Sequence, residues 1–152
     1  MKTSEIPQTL LQVIFEQAEK EYPHECCGMI LGPDEQKGIF TRVRPCRNIQ
    51  DELNQMDPVT YTRTSATAYV IDSSDLFKIQ KEARQKKEAI RIIYHSHIDK
   101  RAYFSEEDKR VATHEGEPVY PGVEYLVISV MKGKVADSCL YHWDEKQKDF
   151  LP

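Results

Sequence analysis

Apolar residues near the N-terminus recur at helical spacing. Leu10, Leu11, Ile14, Phe15 and Ala18 share one face, Pro7 suits a first helical turn, and the pattern stops near Tyr22-Pro23. Gly28-Met-Ile-Leu-Gly32 is a short apolar run bounded by glycines, which predicts a buried strand, and Pro33-Asp34 starts a turn. Residues 38–47 carry β-branched and aromatic positions and predict a second strand. The stretch 48–66 is polar and irregular and reads as a long surface loop, a feature often functional in a compact domain, with Asn48 a candidate to line a substrate groove. Ala68 to Ile71 predicts a short strand. Ser73 or Ser74 can cap a helix reaching about Lys87, with Leu76, Ile79 and Ala83 facing inward. Ala89 to Tyr94 is apolar enough for a central strand and runs straight into His95. Ser105 opens a helix over 106–114, and 116–122 is a loop. Val123 to Val130 is a strong strand, Lys132-Gly133 a tight turn, and Lys134 to Trp143 a strand with partial alternation. Helices and strands alternate in an α/β order closed by a hairpin, with no repeat or linker, so one domain is expected over residues 1–152.

Bulk properties narrow the function. A chain of 152 residues buries about two-thirds of its unfolded surface and needs neither disulfide nor metal merely to fold. A net charge of −4 argues against nucleic acid as the main partner. The basic run Lys78, Lys81, Arg84, Lys86, Lys87 is interleaved with Glu82 and Glu88 and reads as a solvated helix face. No apolar run approaches the ~20 residues that span a bilayer. The opening Met-Lys-Thr-Ser-Glu-Ile-Pro lacks the apolar segment of a secretion signal, so a cytoplasmic location is expected and no membrane partner. Cys26, Cys27, Cys46 and Cys139 match neither a disulfide framework nor a CxxC zinc site and read as small buried hydrophobes.

The informative segment runs from His95 to Asp108. His95 and His97 stand at i and i+2 at a predicted strand end, so both imidazoles project to one face. Asp108 follows eleven residues later, in the first turn of the next helix, where a loop can fold back and close a His-His-Asp set. Three such ligands leave a position open for water, which distinguishes a catalytic zinc from a structural one. Each piece has a bland alternative. Ser105-Glu-Glu-Asp108 is an acceptable capping box, an isolated His-x-His is weak, and Glu25 alone reads as a surface carboxylate at a helix end. The joint occurrence of strand end, parity, loop length and capped helix favours the metal.

His95-x-His97, seven residues, Ser105, two residues, Asp108 resembles the JAMM (MPN+) motif of zinc metallopeptidases. Glu25-Cys-Cys-Gly28, just after the first helix, resembles that family's separate glutamate motif, and the order of elements matches over most of the chain. The resemblance implies a cytidine-deaminase-like α/β fold, a mixed sheet flanked by helices. It implies one Zn2+ per chain held by His95, His97 and Asp108, Glu25 as the acid/base residue acting on water, and Ser105 as an oxyanion donor. Inactive MPN relatives lose these ligands, and this chain keeps them all.

The chain departs from the family at Ile98 and Phe104, where many members have proline, which bears on the loop shape and so on the subfamily and substrate. It looks more like small prokaryotic members than like eukaryotic deubiquitinases, since no large insertion is evident. That likeness implies a ubiquitin-like or sulfur-carrier protein with a C-terminal Gly-Gly as substrate, cut at a peptide or isopeptide bond, and leaves a homodimer open. Two rival readings stand. One is a non-peptidase zinc amidohydrolase, although Pro45-Cys46 is not followed by the second cysteine of zinc deaminases. The other is a non-catalytic MPN binding module. Ser96 should point to the opposite face of the strand. His24 is a weaker candidate ligand, and His114 and His142 read as structural or exposed.

Overall fold

The apolar run before His95 becomes the middle of the sheet. A computed structural model describes residues 5–152; Met1–Ser4, where the N-terminal stretch considered above begins, lie outside the described residues. Helix α1 (Gln8–Glu21) leads into β1 (Cys27–Pro33) and β2 (Arg42–Cys46), followed by α2 (Gln50–Met56) and α3 (Ser73–Lys86). Strand β3 (Glu88–Ile98) precedes α4 (Glu106–Ala112) and a two-residue hairpin of β4 (Thr113–His114) and β5 (Glu117–Pro118). Strands β6 (Glu124–Met131), β7 (Lys134–Asp144) and β8 (Asp149–Leu151) complete the order. The main sheet runs β2-β1-β3-β6-β7-β8, with β3 and β6 parallel and the other neighbours antiparallel, which is the expected mixed α/β sheet.

Alternation along the central strands sorts side chains between two faces. Ile30, Ile92, Tyr94, Leu126 and Ile128 pack with Leu11, Ile14 and Ala18 of α1. Met29, Leu31, Ile93, Tyr125 and Val127 pack on the other side with Ile79 and Ala83 of α3 and Ala112 of α4. Helices cover both faces, so β1 and β6 are buried along nearly their whole length and β3 from Ile92 to His97. Lys132 and Gly133 both have positive φ, 51° and 83°, the tight turn that joins β6 to β7.

Several expectations shift in detail. The segment 48–66 holds a short helix, α2, in place of a continuous loop. No apolar stripe announces it, because side chains bonded to backbone hold it: Gln50 Nε2 donates to Arg63 O at 2.9 Å and Asn54 Nδ2 to Tyr61 O at 2.7 Å. The strand predicted at 68–71 is a single bridge between Ile71 and Asn48. Asn48 takes the place of a strand partner, donating to Ala68 O and accepting from Val70 N. The second strand is confined to 42–46, since Gly38 turns the chain at φ 84° and Phe40 dives into the core. Pro45, which has no N–H, is tolerated because β2 lies at the sheet edge. Asp72, one residue earlier than expected, caps α3 by accepting from Ser74 N at 2.9 Å.

Gly28 is required where it stands. It pairs with Tyr94 across the sheet, and a Cβ there would collide with the tyrosine ring and hydroxyl. That hydroxyl donates to Gln17 Oε1 at 2.5 Å, and Gln17 Nε2 donates to Cys27 O at 3.1 Å, tying α1 to the strand beside Glu25. Gly28→Ala is expected to cost about 1–3 kcal/mol of stability in urea denaturation. A Gly28→Ala, Tyr94→Leu double variant should recover part of that loss, because the obstructing ring is gone.

Candidate metal centre

The full length of β3 carries both histidines inside the sheet. His95 pairs with Cys27 and Val127, and His97 with Ser129, so both share the face of Ile93. Helix α4 brings Asp108 beneath them. His95 Nε2 lies 3.0 Å from Asp108 Oδ1, and His97 Nε2 lies 3.0 Å from Oδ2. One ligand atom from each of the three residues can be chosen so that all lie within 4.8 Å of one another, and all three residues are buried.

Each ligand is oriented from behind. His97 Nδ1 faces the carbonyl of Arg101 at 2.9 Å, and since a carbonyl only accepts, Nδ1 carries the proton and the Nε2 lone pair of the neutral ring points inward. Tyr103 meets the His97 ring edge-on at 5.0 Å, and Tyr69 stacks on His95 at 4.5 Å. Asp108 completes a capping box: Ser105 N donates to its Oδ2, and its own N–H donates to Ser105 Oγ, both at 3.0 Å. The capping box thus turns the same carboxylate toward the two imidazoles.

The arrangement calls for a cation. His95 is fully buried, yet neither ring nitrogen has a hydrogen-bond partner, because its approach to Asp108 lacks hydrogen-bond alignment. Imidazole lone pairs and carboxylate oxygens facing each other at 3.0 Å repel unless positive charge lies between them. A divalent metal satisfies both contacts at once and uses the nitrogen and oxygen donors zinc prefers. Burial opposes ionisation of Asp108, but with protons in place of an ion the charge at His95, N–H donation from both imidazoles and the Ser105 N–H outweigh it and hold the carboxyl well below the usual carboxylate range.

Glu25 lies between α1 and β1 and is 4% exposed. Its backbone is gripped on both sides by the 48–70 segment: its N–H donates to Ser65 O at 2.7 Å, and its carbonyl accepts from Asn48 Nδ2 at 2.9 Å. Asn48 is fully used, since Gln50 N and Val70 N occupy its Oδ1 and Ala68 O takes its second N–H. Asp51 fixes Ser65 by accepting from its N and Oγ at 2.7 and 2.8 Å. Ser65 thereby spends its one proton, so His24 Nδ1, 2.6 Å from that hydroxyl, must be the donor. The His24–Ser65–Asp51 chain braces Glu25 and is not a nucleophile triad, because the acid touches the serine's proton and not the histidine's. The Glu25 carboxyl itself has an orphaned Oε1. Burial, then the Asp108 charge, push it up to about 9 against the smaller opposing effects of Lys100 and Arg63.

Glu25, His97 and Ser105 line one cavity of about 310 Å³ with Arg63, Thr67, Lys100, Tyr103, Glu106 and Glu107. All five expected site residues thus come together. The loop from 99 to 104 keeps its shape without the family prolines. Asp99 accepts from Lys132 N and Tyr22 Oη, Ala102 O accepts from Tyr141 Oη, and Phe104 packs against Tyr125, Tyr141 and Phe150. Ser96 lies on the opposite face and accepts from Cys26 N at 2.8 Å, as its parity requires. His24 is outside the cluster, His114 is exposed and His142 is half-buried away from it. Cys26, Cys27 and Cys46 are buried thiols that burial raises, and Cys139 is half-buried and free. Sequence reading missed Tyr69, Tyr103, Arg63 and Lys100, whose placement depends on how two irregular segments fold over the sheet.

The profile of the prokaryotic homologs of the JAB domain matches residues 7–141. This chain belongs to that family. Relatives named CysO-cysteine peptidase, from Mycobacterium tuberculosis and Mycobacterium bovis, are each 29% identical over 120 residues, covering 79% of this chain and 68% of theirs. A solution structure from Desulfitobacterium hafniense superposes with a TM-score of 0.66 at 22% identity, covering 91% of this chain and 83% of that one. One from Salinibacter ruber gives 0.60 at 22% identity, covering 95% and 84%. These two likenesses bear on the fold.

Removing the Asn48 side chain strands four partly buried backbone groups, so Asn48→Ala should lower stability by about 1–3 kcal/mol in urea denaturation. The metal-free protein should lose stability as pH rises from 5 to 9. Its folded state keeps the Glu25 proton to about 9, whereas an unfolded glutamate releases it near 4.5. Asp108 contributes a constant amount over that window, because its folded value lies below its unfolded one and its share is lost only in acid. Glu25→Gln should flatten the slope, measured as urea midpoints of chelator-treated protein across that range.

Proposed function

We propose that residues 1–152 act as one zinc metallopeptidase domain. It hydrolyses the peptide or isopeptide bond at the Gly-Gly tail of a ubiquitin-like or sulfur-carrier protein. The observation that carries this reading is the buried, unpartnered His95 Nε2 facing Asp108 Oδ1, mirrored by His97 and Oδ2, with His97 opening onto the cavity that Glu25 and Ser105 also line. The relatives named CysO-cysteine peptidase support the reaction class and a carrier protein as substrate.

Zn2+ bound by His95, His97 and Asp108 would polarise the scissile carbonyl and acidify a water. Positive charge at the three ligands would lower the Glu25 carboxyl from its metal-free value, so that the unpartnered Oε1, ionised, takes the proton from that water and later hands it to the departing amine nitrogen. The water oxygen joins the carbonyl carbon to give the tetrahedral oxyanion, and the C–N bond breaks as the nitrogen receives that proton. Ser105 Oγ accepts from Asp108 N and so keeps its own proton to donate to the oxyanion. Glycines before the bond suit a narrow approach, since they bring no side chain. A cytoplasmic location belongs to this reading; among the described residues no helix is long and apolar enough to cross a membrane.

Glu25→Gln is expected to retain one zinc per chain by elemental analysis while turnover falls at least about a hundredfold. His97→Ala should lose the metal, and a chelator should abolish wild-type cleavage reversibly. Wild-type rates in Glu25→Gln would exclude it as the base.

A further inference from the structure

Peptide and isopeptide bonds at a Gly-Gly tail differ in what leaves with the nitrogen: one amino acid, or the lysine side chain of another protein. Two cations in the reaction cavity bear on that choice. Arg63 and Lys100 come from separate segments and line the same cavity as Glu25, His97 and Ser105. Each is fastened by its main chain: Gln50 Nε2 donates to Arg63 O at 2.9 Å, and Ser129 Oγ donates to Lys100 O at 2.5 Å. Their charged ends are left almost unspent. Among the described residues the Lys100 ammonium forms no ion pair, and Arg63 makes only a 3.9 Å contact to Glu107. Glu107 is already held by Arg110 through two 2.8 Å bonds, and Glu106 is exposed at the start of α4. The cavity therefore carries two cations whose own protein gives them little to bind.

We propose that Arg63 and Lys100 form a carboxylate subsite that recognises the free α-carboxylate of a single C-terminal residue beyond the Gly-Gly tail. The inference rests on the peptidase reading and deepens it. When the last amide of a chain is cut, the departing nitrogen is separated from a carboxylate by one Cα, so the anion enters the cavity with the leaving group. In an isopeptide substrate the departing nitrogen ends an uncharged four-carbon chain, and no carboxylate lies near. Charge-assisted hydrogen bonds to a guanidinium and an ammonium stabilise the first and offer nothing to the second. The chain is on this account a carboxypeptidase-type enzyme that trims one residue from a carrier.

The test uses the zinc-loaded full chain and a sulfur-carrier protein whose Gly-Gly tail is extended by one cysteine, prepared as the free acid and as the C-terminal amide. Cleavage is read by intact mass. The acid is expected to be cut with a kcat/KM about tenfold or more above the amide. An Arg63→Gln, Lys100→Met double variant should bring that ratio close to one while zinc content and melting temperature stay at wild-type values. Calorimetric binding of the two carriers to Glu25→Gln should show the same preference. Equal cleavage of acid and amide by the wild type, or an acid preference that survives the double variant, overturns the subsite and leaves the peptidase reading standing. Cleavage of neither carrier overturns the subsite, and if a lysine-linked Gly-Gly isopeptide conjugate is also left intact the peptidase reading falls with it.

Discussion

One carboxylate organises the centre. Asp108 is the N3 residue of α4, accepts the Ser105 N–H, and presents an oxygen to each of two imidazoles on β3. A helix start and a sheet strand are thereby locked at a fixed separation. The cost of burying that charge is offset by the hydrogen bond from the Ser105 N–H, and a cation between it and the histidines would offset more. The same box leaves the Ser105 hydroxyl with a proton to give, so one local motif orients the carboxylate and, in the proposed reaction, would also supply the oxyanion donor.

The opposite wall of the cavity is built differently. Glu25 belongs to no regular element, and its placement comes from the 48–70 segment through Asn48 and the Asp51–Ser65 pair. This segment also delivers Tyr69 onto His95 and Arg63 into the cavity. What looks in sequence like a connector is the frame that brings the carboxyl to the histidines.

The legible parts of the chain were those governed by period. Alternation in β3 and β6 and the 3.6-residue stripe of α1 mark which residues share a face, and the parity of His95 and His97 follows from the same rule. The capping signal at Ser105 placed α4 and Asp108. The 48–70 segment was not legible, because its order rests on individual side chains such as Gln50, Asn48 and Asn54 bonding to backbone at a distance, which leaves no periodic trace. Ala68 to Ile71 has strand composition, but an asparagine side chain occupies the hydrogen bonds a neighbouring strand would make. Phe104 was read as a departure that could reshape the loop, whereas its ring joins an aromatic cluster that anchors the loop end. The short β8 carries only one deeply buried residue, Phe150, too little pattern to announce a strand.

The capping box of Asp108 has a consequence for assembly. Its hydrogen bonds to Ser105 are backbone-anchored, and the His97 ring is held from its far side by Arg101, so two of the three donors are aimed before any ion arrives. Loading such a site demands little reordering of the chain. On the proposed zinc reading, uptake and loss of the ion would be reversible events on an already folded molecule, and the free-ion level around it would set the fraction of competent copies.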